Sequence, residues 1–199
     1  MDNRISGSAL ALVLCLAVAA PAVGQEYDEQ AVMAAYEKAM TPSAPHAELA
    51  ELEGTWEMTV TQWMQPGAEP VATSATNTSR MVLGGRYLMD TTEGTAMGQP
   101  FSGMGWTGYD NVRDQYVSTW IDNFGTGILV AYGRWEDDEQ GIVMHGTYVD
   151  PVTGKDVHIR TVSRMDGPDR QIFTWYEKRE GEQVARKTME IVSVRRVAD

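Results

Sequence analysis

"GYDNVRDQYVSTWIDNFGTG", residues Gly108–Gly127, sets large aromatic side chains among glycines and acids. Side chains of a strand alternate between its two faces, so Tyr116, Ser118, Trp120 and Asp122 share one face, and Val117, Thr119 and Ile121 the other. A four-residue turn at Asn111–Asp114 pairs Gly105 with Trp120 and Gly103 with Asp122, setting two missing side chains opposite an indole and a carboxylate. A five-residue turn instead pairs Met104 with Trp120 and brings Trp106 onto the same face. The first register accounts for both glycines, because they leave room for Trp120 to lie flat inside a narrow barrel. Asp110 and Asn111 open the turn, where short polar side chains bond their own backbone.

The same punctuation continues on both sides. From Thr55 onward, runs of residues are separated by Gly, Asp, Asn or Pro, and strands are expected near 55–64, 72–83, 86–93, 101–109, 115–122, 126–136, 140–149, 155–165, 170–179 and 184–195. Gly84-Gly85 reads as a two-residue hairpin connection, and "DPVTGK" and "REGEQ" as longer hairpin loops. No segment here has room for a crossover helix, which excludes a parallel sheet. The expected fold is all-β, an antiparallel up-and-down barrel of about ten strands, closed so that no sheet edge is left open.

A short helical segment precedes the strands. In "YDEQAVMAAYEKAM", Val32, Met33, Tyr36 and Met40 fall at helical spacing after a capping Asp28, which predicts an amphipathic helix lying on the domain. "TPSAP" breaks it, and "HAELAELEG" sets Leu49 and Leu52 on one side of a second turn that stops at Gly54. Further upstream, Arg4, the apolar run Ala9–Ala20 and the small residues of "PAVGQ" read as a secretory signal cut near Gly24. The run is shorter than the roughly 20 apolar residues a membrane span needs. Lipidation at Cys15 is disfavoured, since Leu14 is not small and Cys15 lies inside the apolar run. The expected organisation is a signal peptide at 1–24, helix and linker at 25–45 and a barrel at 46–199, in a periplasmic or secreted protein.

Cleavage would remove the only cysteine, leaving no internal disulfide, thiolate nucleophile or cysteine-bound metal. A net charge of −12 argues against nucleic acid and anionic membranes, both of which reward Lys/Arg patches.

"HAELAELEGTWEM" at His46–Met58, "GGRYL" at Gly84–Leu88, the Gly108–Gly127 stretch and "TMEIVSVRR" at Thr188–Arg196 together resemble an exported bacterial family, the domain of unknown function numbered fifteen-seventy-nine. Such proteins are similar to the calycins: the lipocalin, fatty-acid-binding and nitrobindin barrels. The resemblance implies a calycin-like ligand-cavity fold and no particular chemistry, and fold analogy does not settle function. Gly54-Thr55-Trp56 matches the Gly-x-Trp that opens the first lipocalin strand. There the tryptophan closes the barrel floor and an arginine of the last strand lies over its ring; the matching residues are Gly54, Trp56 and Arg195, with Arg196 as second choice, in a structural role. Haem binding as in nitrobindin needs a C-terminal proximal histidine, which this tail lacks, and no cofactor is expected.

The histidines are His46, His145 and His158. With Pro151–Gly154 as a loop, Thr147 opposes His158 and His145 lies diagonally on the same face, but no third ligand completes a metal site and none is expected. The alternation Ile142, Met144, Tyr148 marks the inner face and leaves both histidines outside. No Gly-x-Ser-x-Gly elbow, histidine-paired serine or phosphate loop is present. The expected partner is a small, mostly apolar ligand inside the barrel, with Trp106, Tyr116, Trp120, Tyr148 and Tyr176 as wall and Asp122 and Arg86 as polar anchors. Asp122 either faces inward, partnered by Arg86, Arg160 or a tyrosine hydroxyl, or begins the Asn123–Gly125 turn at the rim. Two alternatives stand beside this reading. One is a solid barrel that binds protein through Tyr36 and Met40. The other is an isomerase or hydrolase with Asp122 as general base. The sequence sets no oligomeric state.

Overall fold

The computed structural model describes residues 28–196; the expected signal peptide and its cleavage near Gly24 lie outside them. Two helices, α1 (Glu29–Met40) and α2 (Ala44–Ala50), precede ten strands: β1 (Gly54–Gln62), β2 (Val71–Val82), β3 (Tyr87–Ala96), β4 (Gln99–Asp110), β5 (Gln115–Asp122), β6 (Leu129–Glu136), β7 (Gly141–Val149), β8 (Asp156–Met165), β9 (Arg170–Arg179) and β10 (Arg186–Arg195). Each strand pairs antiparallel with its chain neighbours, and β1 pairs with β10, so the meander closes into a barrel. Closure leaves no unpaired edge. No helix among the described residues is long and apolar enough to cross a membrane.

Two details differ from the expectation. The β2–β3 connection is not the two-residue Gly84-Gly85 turn, because β2 ends at Val82 and β3 starts at Tyr87, with the Arg86 N–H bonded to the Val82 carbonyl at 3.2 Å. Leu83, Gly84 and Gly85 all have positive φ (49°, 67° and 79°), so the left-handed run spreads the reversal over more residues. α1 buries none of its residues, and Met33, Tyr36 and Met40 of its apolar face are exposed.

α2 forms the floor of the barrel. Leu49 is buried against Leu88, Tyr116, Ala131 and Met144, with Leu52, Met81, Tyr109 and Ile142 packed around them. The Trp56 indole N–H donates to the Leu52 carbonyl at 2.9 Å, and the Arg195 guanidinium carbon lies 4.1 Å from the Trp56 ring centroid. Arg195 also donates to the carbonyls of Glu51 and Glu53, just past α2, and to Asp169. A cation at a helix C-terminus satisfies carbonyls that the helix itself cannot, and favours the dipole. Gly54 makes this contact feasible: its φ is +131°, and a Cβ there would lie 3.0 Å from Arg195 Nη1.

The start of α2 carries a buried titratable group. His46 Nδ1 accepts the Ser43 N–H at 3.0 Å, closing a capping box in which histidine takes the place of Glu or Gln. Burial holds the imidazole below its usual 6.5, and the Arg86 charge adds to this, while backbone hydrogen bonds at Ser43 and Tyr109 pull the other way. A histidine lowered in the folded state takes up its proton more readily when unfolded, so stability falls as pH drops below about 6.5 and the loss is complete below the folded value. The melting temperature is therefore expected to fall between about pH 7 and pH 5, with His46→Gln, which keeps the capping geometry, flattening part of that slope. Identical slopes in the two proteins would show that His46 does not carry the effect.

Candidate functional site

The interior is built by alternation. Gly105 pairs with Trp120 and Gly103 with Asp122, the register that follows from the four-residue Asn111–Asp114 turn. Trp120 lies flat on β4: a Cβ at Gly103 would overlap its ring and come within 2.8 Å of Cη2, and one at Gly105 would lie 3.1 Å from Cε3. Phe101 stacks beside it, with centroids 6.4 Å apart and planes at 15°. The Trp120 indole N–H donates to Asp122 Oδ2 and the Phe124 N–H to Oδ1, both at 2.9 Å. Asp122 thus faces inward and begins the turn at once, and both its oxygens already accept hydrogen bonds.

Strand β9 repeats the device. The Trp175 indole N–H donates to Glu177 Oε1 at 3.2 Å, two residues on, and Glu177 Oε2 accepts from Arg179 at 3.1 Å. Tyr148 faces inward on β7, opposite Val157, with its hydroxyl pKa raised by burial and then by the Glu177 charge. Between these walls a polar cluster crosses β2 and β3. Asp90 Oδ1 accepts from Ser79 Oγ at 2.6 Å and from Asn77 Nδ2 at 3.1 Å, while the Thr92 hydroxyl donates to Asn77 Oδ1 at 2.9 Å. Burial pushes the Asp90 carboxyl above its ordinary value, against the opposing pull of the Ser79 and Asn77 hydrogen bonds. Neither Asp90 nor Trp175–Glu177 is among the residues expected from the sequence, yet both leave a signal there: "LMDTT" alternates Asp90 with Leu88 and Thr92, and Trp175-x-Glu177 repeats the spacing of Trp120-x-Asp122.

The remaining expected wall and anchor residues fall elsewhere. Trp106 pairs with Thr119 on the outer face, because its neighbours Gly105 and Thr107 take the inner positions. Tyr176 is also outside, opposite Arg160, whose guanidinium carbon lies 5.5 Å from its ring centroid; Phe173 and Trp175 take the inner face of β9. Arg86 belongs to the β2–β3 turn and donates to the Met40 carbonyl at 2.6 Å, which holds the linker after α1 and does not reach the interior. Tyr116 faces inward but belongs to the floor, with its hydroxyl donating to Glu48 of α2 at 3.0 Å. Arg160 pairs with Glu139 and does not reach Asp122. His145 and His158 are exposed on the outer face, and among the described residues no group of three His, Cys, Asp or Glu side chains could hold a metal ion.

The two ends of the barrel differ in packing. Inward-facing residues against α2, such as Trp56, Leu88, Tyr116 and Met144, are buried. Farther from α2 the packing is uneven: Trp120 and Trp175 keep partial exposure, whereas Val157, inward at the far end of β8, is buried.

The model of one protein family, described as "Protein of unknown function (DUF1579)", matches residues 41–195, a span from the linker before α2 to the end of β10. The chain belongs to the DUF1579 family. No curated protein matches it. Among solved structures, this DUF1579 barrel is similar to Rv2717c from M. tuberculosis at 19% identity and a TM-score of 0.55, over 79% of this chain and 100% of that one. It is also similar to the S-type phycobiliprotein lyase CPES from Guillardia theta at 10% identity and a TM-score of 0.53, over 83% of this chain and 98% of that one. At such identities the likeness concerns the fold alone, and it supports the calycin-like barrel.

Proposed function

We propose that this DUF1579 barrel binds a small, mostly apolar molecule in its interior, entering at the end opposite α2. The observation that carries the reading is that α2 and Trp56 seal one end, while the inward-facing rings of Trp120 and Trp175 above it keep accessible surface. Apolar walls with a few convergent polar groups are the composition of a small-molecule site. Trp120, Tyr148, Trp175 and Asp122 are the proposed lining.

Trp120→Ala tests the reading. Full burial of an indole would make its truncation cost about 3–5 kcal/mol, so a half-buried Trp120 is expected to cost about 2 kcal/mol. Binding of a neutral apolar dye such as N-phenylnaphthylamine should saturate in the parent and weaken at least tenfold in the variant. A dye that finds no saturable site, or one indifferent to Trp120, overturns the proposal. We also propose export of the chain, on the apolar run at Ala9–Ala20. The mass of the protein recovered from fractionated cells checks it, and an intact N-terminus in the cytosolic fraction speaks against it.

A further inference from the structure

The charges inside the barrel are unequal. Three carboxylates occupy inward positions: Asp90, Asp122 and Glu177. The cations at inward positions are each committed within the chain: Arg195 to the floor carbonyls and Asp169, Arg179 to Glu177 and Asp150, Arg186 to Glu182. Asp90 is the deepest of the acids and has no cationic partner among the described residues. All the donors of its cluster point at one oxygen, and among the described residues Oδ2 accepts no hydrogen bond. A carboxylate even partly withdrawn from water is unfavourable without a charged partner, unless something supplies the missing charge.

An aromatic surface lies in the same row of the sheet. Ser79, Asp90, Gly105 and Trp120 follow one another in a single row across β2, β3, β4 and β5. Gly105 places no side chain between the carboxylate and the indole. One face of Trp120 lies on the backbone of Gly103 and Gly105, which leaves the other face toward the interior. A carboxylate and an indole face that both border one interior space favour an ammonium group, through charge and through the ring quadrupole together. A fatty acid would bring a second negative charge into the same space, where the inward cations of the described residues are already paired.

We infer that the interior selects an organic cation, an ammonium group carried on an apolar body, with Asp90 as its counter-ion and Trp120 as the aromatic surface against it. This rests on the interior-binding reading. Octyltrimethylammonium, octanol and octanoate share one chain and differ in head charge, and titration of each into the full chain by calorimetry separates the two ideas. The cation should bind one saturable site at least tenfold more tightly than octanol, with octanoate weakest. Asp90→Asn keeps the size of the side chain and an acceptor for Ser79, and should reduce cation affinity to that of octanol while raising the melting temperature at neutral pH. Glu93→Gln on the outer face should change neither. The parent protein offers a second measurement: a pair formed inside is little screened, so the affinity should hold from low to physiological ionic strength. Octanol or octanoate binding as tightly as the cation, with Trp120→Ala weakening it, overturns the charge preference and leaves interior binding standing. Cation binding that survives Asp90→Asn, or fades with salt, marks the acidic surface and overturns the inference. No saturable binding by any of the three overturns both.

Discussion

Trp56→Ala is expected to destabilise the barrel by about 3–5 kcal/mol, the range for truncating a fully packed aromatic. Trp56 is 2% exposed and joins three elements: β1, which carries it, the turn after α2, whose Leu52 carbonyl it bonds, and β10, whose Arg195 lies over its ring. Its loss leaves a large void in the floor, an unmatched carbonyl and a guanidinium without its aromatic surface. Trp56→Phe keeps a ring beneath Arg195 but loses the indole N–H, and should cost about 1–3 kcal/mol for the carbonyl left unsatisfied. Urea unfolding of the three proteins tests the order. A Trp56→Ala loss under about 1 kcal/mol would mean that the floor does not depend on this residue.

The second large effect is expected at a position with no side chain at all. Gly133 on β6 pairs with Met144 on β7 and Tyr116 on β5. A Cβ there would overlap the Val143 carbonyl oxygen and lie 2.6 Å from Met144 Cα. Both obstacles are backbone, so β7 itself must move. Gly133→Ala is therefore expected to cost about 3 kcal/mol, because strain in the sheet outweighs the roughly 0.5–1 kcal/mol that alanine gains over glycine in a strand. Gly125→Ala is the control: its nearest neighbour is Asp122 Oδ1 at 4.0 Å, and the change should stay within about 0.5 kcal/mol. Equal melting curves for the two variants would show that β6 and β7 are not so closely apposed.

The ten strands and their antiparallel order were legible in the sequence because every connection is short and bounded by Gly, Asp, Asn or Pro. The Trp120 register was legible because Gly103 and Gly105 make sense only beneath a large ring. The site was less so. In β9, Phe173 and Trp175 alternate with Tyr176 and Ile172, so both faces look lipophilic and nothing local tells inside from outside. Trp106 shares the face of Trp120 only in the five-residue register, and a strand whose glycines face inward sends it outward. Arg86 reads as a cation for an inward Asp122, but a left-handed turn re-aims it toward the Met40 carbonyl. Asp90 reads as one more acid in a chain of net charge −12, and only pairing with β2 sets Ser79 and Asn77 around it. The expected apolar face of α1 was periodic but is not buried, since periodicity reports which residues share a side and not what covers them.

The pairing of β1 with β10 also bears on the order of folding. Nine of the strand pairings join consecutive strands, and only this one joins the two ends of the sheet. Hairpins between neighbours close small loops in microseconds, whereas the seam must wait until the intervening sheet has curled and brought its ends together. During that interval β1 and β10 each offer a free row of backbone donors and acceptors to any strand in reach. A ribosome-bound chain lacking β10 remains in that condition throughout synthesis of β2 to β9. Arg195 and Trp56, which meet across the seam, come together only at its end. Substitutions there should leave the refolding rate nearly unchanged and accelerate unfolding instead.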